Sequence, residues 1–190
     1  INSEATLPIL TLAVDDVAVG DLHLAEVKLH SLPEEGVSKF LKPLMLSWVL
    51  SGQGLELEAE AALTPLSENS GFAVLRDLHL GLIHDVSGNK EKAMVSYENA
   101  LLSGPPSFFR LVEIIGNFFE RTGHPEKASE IYQNYLKSAS NVYMIESALT
   151  RLESNKIPEA VVVSVRDGMA EALFNIASAL HQESATKTAL

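Results

Sequence analysis

Small and apolar residues recur along this chain with two superposed periods, a helical one and a longer one of about 34 residues. Glycine stands at Gly20, Gly54, Gly88 and Gly123, in steps of 34, 34 and 35 residues. Ala25, Ala59, Ala93 and Ala128 follow each glycine at a constant distance, and Leu29, Leu63, Tyr97 and Tyr132 follow each alanine. Upstream, Leu12, Leu46, Leu80 and Ile115 keep the same phase, each followed by Ala13, Ser47, Gly81 or Gly116. The longer step coincides with the doubled proline Pro105-Pro106. Each column has a physical reason. The glycine ends a first helix where the chain takes a left-handed turn. The alanine sits where two helices approach closely. The large residue fills the gap toward the following unit. One such hairpin cannot bury its apolar face alone, so neighbours must stack.

Between these columns the pattern predicts helices over 5–18, 22–31, 37–50, 56–67, 73–87, 90–102, 107–122, 125–138 and 142–152. Asp21, Asn89 and Asn141 are placed as N-caps. Pro125 opens its helix at the position where a missing N–H costs least. Pro43 lies inside the third helix and predicts either a kink or a helix that starts at Lys42. Beyond Ser140 the pattern degrades. Pro158 and the β-branched run Val161-Val162-Val163 with Val165 oppose a helix, so 155–166 reads as irregular or extended. A tenth helix over 168–182 follows, with a frayed tail.

The stretch Val74–Ser107, with Leu80-Gly81, Gly88, Ala93, Tyr97, Ala100 and Pro105 in order, resembles a tetratricopeptide repeat. The resemblance implies an all-α fold, a right-handed α-solenoid of stacked antiparallel helix pairs with an irregular insert near 155–166. It divides the chain into four repeats at about 6–39, 40–73, 74–108 and 109–142, a degenerate repeat at 143–168, and the start of a further repeat at 169–190. Leu173, Ile176, Ala177 and Leu180 resemble another first helix, and Ala189 follows Ala177 as Ala93 follows Gly81. That predicts a middle section of a longer protein. The texture of the chain and the stretch Ala170–Leu180 are similar to exported bacterial repeat proteins, which implies a periplasmic setting.

Composition narrows the partners. With 14 basic against 25 acidic residues the net charge is −11, and no basic stripe is present to release counterions from a phosphate backbone. Nucleic acid and anionic membrane surfaces are therefore disfavoured, and no apolar run reaches membrane-spanning length. The lack of cysteine excludes disulfides and thiolate metal sites.

Candidate chemistry is sparse. His79 and His84, near Asp77 and Asp85, are five apart, where a helical metal pair wants three or four. They read as packed histidines. Asp15-Asp16 reads as a solvated pair at a helix end, and Gly52-Gln53-Gly54 as a turn and not a phosphate loop. No catalytic residue, metal ligand or cofactor site is expected.

The remaining face of each first helix carries the functional reading. In the tetratricopeptide family that face lines a concave groove for peptides. By position, the first row is Leu7, Leu10, Val14 and Val17. The second is Leu41, Leu44, Trp48 and Ser51, and the third Leu75, Leu78, Leu82 and Asp85. The fourth, Arg110, Glu113, Asn117 and Glu120, is polar. An apolar stripe at such a place either binds a partner segment, with Trp48 as anchor, or is filled core, or is covered by a second copy. A homodimer would use the groove or the C-terminal end. The resulting expectation is a non-catalytic protein- or peptide-binding scaffold. The alternative is the substrate-recognition or regulatory arm of an enzyme whose catalytic domain lies outside 1–190.

Overall fold

A computed structural model describes residues 6–68, 70–104, 108–138, 143–154 and 156–188. Among these residues the chain is all-α, ten α-helices and one short 3-10 turn with no strand. The helices are α1 (Thr6–Ala18), α2 (Leu22–His30), α3 (Ser38–Gly52), α4 (Glu56–Ala62), α5 (Ser70–Val86), α6 (Lys90–Ser103), α7 (Phe109–Arg121), α8 (Pro125–Ser138), α9 (Tyr143–Glu153) and α10 (Val165–Thr188). Helices α1 and α2, α3 and α4, α5 and α6, and α7 and α8 pack as pairs.

The turn inside each pair is made by one glycine. Gly20, Gly54, Gly88 and Gly123 hold φ of 85°, 80°, 78° and 84°. A Cβ there would meet nothing, so it is the left-handed backbone and not space that requires glycine. The next helix is then capped from the side: Asp21 accepts from the Leu24 amide at 3.0 Å and Asn89 from Lys92 at 3.3 Å.

Within each pair the small and large columns fit one another. A Cβ added to Gly81 would run into the Tyr97 ring, and one added to Gly116 into Tyr132. The same two columns hold Ala13 with Leu29 and Ser47 with Leu63 in the earlier pairs, a larger residue on one helix matched by a smaller one on the other. Ala25, Ala59, Ala93 and Ala128 are all fully buried. Tyr97 also reaches the following pair, its ring centroid 4.9 Å from that of Phe118.

Several boundaries differ from those the sequence predicts. Helix α3 starts at Ser38 and runs through Pro43. The proline stands in the second turn, where it forgoes only the bond to the Lys39 carbonyl. Lys42 meanwhile donates to the His30 and Leu32 carbonyls, both at 3.1 Å. Helix α4 ends at Ala62 and not at Ser67, because Pro65 biases Thr64 away from α geometry and the chain tightens into a 3-10 turn over Thr64–Glu68. Helix α5 begins at Ser70, ahead of the expected Ala73. The expected starts at Ser107 and Val142, and the cap Asn141, lie outside the described residues. Residues 156–164 carry no helix. Helix α10 starts earlier than expected, at Val165, and its backbone stays helical to Thr188 where a frayed tail was expected. After Gly168 no glycine or proline stands in its way.

Helix α10 departs from the packing of neighbour on neighbour. It lies against α3, and also touches α1 and α5. Val165 sits by Gly52 and Gly168 on Trp48, while Leu173 and Ile176 share a cleft with Leu41. The two helices therefore run antiparallel. None of the helices among the described residues is long and apolar enough to cross a membrane.

Candidate functional site

Four first helices, α1, α3, α5 and α7, contribute the rows that the sequence marks as a groove. The six apolar candidates Leu41, Leu44, Trp48, Leu75, Leu78 and Leu82 are all buried, Trp48 completely. They do not line an open groove, because the C-terminal part of the chain lies over this face. Helix α10 turns Met169, Ala172 and Ile176 into it, all three buried. Gly168 rests on the Trp48 indole so closely that a Cβ would stand 2.1 Å from the ring.

A polar chain runs through this otherwise apolar contact. Trp48 Nε1 donates to His79 Nδ1 at 2.9 Å. Across the ring, His79 Nε2 lies 3.5 Å from the Asn175 amide of α10. Asn175 Nδ2 donates to the Glu171 carboxylate and carbonyl, both at 2.9 Å. Glu171 in turn accepts from Arg110, from Nε at 3.0 Å and from a terminal nitrogen at 2.5 Å. Arg110 closes the chain on Glu113 at 2.7 Å. His79 and Asn175 are buried, and so is Glu171. Burial pushes the His79 imidazole down to about 4, against the pull of the Glu171 carboxylate. The indole donor already holds the ring neutral at Nδ1. Arg110 is held charged more firmly than usual, chiefly by its hydrogen bond to Glu171.

The polar row on α7 is engaged along its whole length. Asn117 Nδ2 donates to the Glu159 carbonyl at 2.8 Å, which fastens the irregular segment 156–164. Glu120 is buried and accepts from Arg151 of α9 at 2.7 and 2.8 Å and from the Tyr132 hydroxyl at 2.6 Å. Burial and that bond push the Tyr132 phenol up. In the third row, Asp85 pairs with Arg121 at 2.5 Å. The first row is divided: Leu10 and Val17 are buried, and Leu7 is exposed.

The other sequence candidates fall elsewhere. Buried His84 lies 3.5 Å from Glu60 and has its pKa lowered by burial. Asp16 pairs with Lys28. Gly52 packs beside Val165 and Leu22, while Gln53 follows it as a helix cap and Gly54 makes the turn. Four contributors are not marked by the sequence pattern: His79 as a partner of Trp48, and Gly168, Glu171 and Asn175 of α10. A signal for the last two exists. Glu171 and Asn175 are polar residues at i, i+4 spacing that flank the apolar stripe of Ala172 and Ile176.

Scans against protein-family models and against curated proteins found no match for this chain.

Proposed function

We propose that this chain is a non-catalytic protein-binding scaffold, a right-handed α-solenoid of the tetratricopeptide type whose first helices form a concave, helix-accepting face. The observation that carries the reading is α10 itself. The row of first helices holds a helix through apolar contacts, with the Trp48–His79 hydrogen bond beneath it and Glu171 accepting from both Asn175 and Arg110. A surface that holds one helix through apolar contacts and a buried ion pair has the chemistry for helix-in-groove recognition. The constant glycine turns and the matched columns support the solenoid, since equal steps place successive first helices side by side.

The test is affinity capture by the intact chain in extract of its source cells. Partner capture should fall at least tenfold with Arg110→Glu, which lies on the concave row, and stay unchanged with Leu102→Glu, an exposed position on α6. Equal behaviour of the two folded variants would sink the reading.

A further inference from the structure

We infer that the face under α10 is an exchange site, in which α10 is a resident helix that a partner helix of matching chemistry replaces. This rests on the scaffold reading above and names its partner.

Three observations converge on exchange. First, the contact is polar at its centre. Glu171 and Asn175 are buried where a helix fixed only for stability would carry apolar residues, and a buried ion pair such as Arg110–Glu171 is a weak source of stability and a means of selection. The Asn175 Oδ1 atom is buried without a hydrogen-bond partner. Second, α10 fills its seat incompletely. A cleft of about 810 Å³ opens beside it toward Phe109 and Arg110, and one of about 630 Å³ on another side toward Leu10 and Leu41. Third, the tether is irregular and lightly held, by a hydrogen bond from Asn117 to the Glu159 carbonyl and by buried Val162. Residues 156–164 carry no helix, expose Ile157 and Val163, and span up to about 30 Å when extended. Departure of α10 breaks the Asn117 bond and unseats Val162 but opens none of the helix pairs. Opening wets Trp48 and the leucines around it, so the open state is a minor one that a replacement helix captures.

The seat specifies that replacement. It is an amphipathic helix with glycine where Gly168 meets the indole, since any side chain there overlaps Trp48. Three positions on it carries a carboxylate for Arg110, and four beyond that an amide beside His79, as Glu171 and Asn175 do. Apolar residues take the places of Met169, Ala172 and Ile176.

The probe is a fluorescent peptide of residues 164–188, titrated into the intact chain. Gly168→Leu in the chain loosens the resident helix, and peptide affinity should rise at least tenfold over wild type. A peptide carrying Glu171→Arg should lose that affinity and regain it on a Gly168→Leu/Arg110→Glu chain. In wild type, amide hydrogen exchange of α10 should run at least tenfold faster than that of α3 and α5. Protection of α10 equal to that of α3 overturns the proposal. So does a folded Gly168→Leu chain with no gain in affinity, or binding that ignores the charge swap. Should Gly168→Leu not fold, the exchange rates in wild type decide alone. Failure here with Arg110-dependent partner capture intact would mean that the partner binds over α10 and not in its place. The scaffold reading would then survive.

Discussion

Gly81 and Tyr97 are a pair in the strict sense, because the space one vacates is the space the other fills. Gly81→Ala should cost about 1–3 kcal/mol through overpacking. Combined with Tyr97→Leu it should cost less than the sum, since Ser47 and Leu63 hold the same two columns in the second pair. Urea denaturation of the two single variants and the double measures that coupling, and strict additivity would refute the pairing. These columns are legible in the sequence because a residue that meets its own hairpin partner recurs with the hairpin. His79 is not, since its environment comes from α3 and α10 and from nothing near it in sequence. Its depressed pKa, about 4 against 6.5, has a definite sign. Between these values the unfolded chain takes up a proton that the folded chain refuses, so stability is full above pH 6.5 and falls as pH drops toward 4. The groups facing His79 are Trp48, Asn175 and the Glu171 carboxylate, and the last only partly offsets the burial. From pH 7 to pH 4.5 wild type should lose about 2–3 kcal/mol more than His79→Gln. Parallel pH profiles of the two proteins would contradict this.

At the scale of the element, α9 is fastened by a group that neither helix propensity nor periodicity reveals. Glu120 stands on the groove row of α7, yet Arg151 and Tyr132 both spend their donors on it. Arg151→Met leaves a buried carboxylate without its cation and should cost about 3 kcal/mol, discounted for the partial exposure of Arg151. Adding Glu120→Gln should recover part of that loss in the same denaturation assay. A double variant less stable than Arg151→Met would show that the carboxylate is held by something else. Helix α10 poses the opposite problem of legibility. Its apolar spacing reads as one more first helix, because the residues that fill a groove and those that begin a hairpin obey the same 3.6-residue period. Only the segment 156–164 lets the chain turn back, and Pro158 with the valine run announces an interruption without saying where the chain goes next.

For the whole molecule, acidic residues outnumber basic ones 25 to 14, and the bridges among them are mostly pairs of one carboxylate with one cation. Self-repulsion of the excess charge should outweigh what salt takes from the surface pairs. The melting temperature should therefore rise by a few degrees between about 20 and 300 mM NaCl. A fall would place the balance with the ion pairs. All-α character follows from the local pattern of apolar residues, glycines and caps, so the sequence by itself declares it. The seat of α10 joins positions as distant along the chain as Trp48 and Gly168, and local pattern carries no record of it. That separation has a consequence for the chain as it is made. Synthesis proceeds at about 5–20 residues per second, so the ribosome presents Trp48 and its leucine neighbours for about ten seconds before Val165 and its followers emerge. The newborn chain thus spends its first moments as a sticky, uncovered half-product, the state in which a holding chaperone would find it.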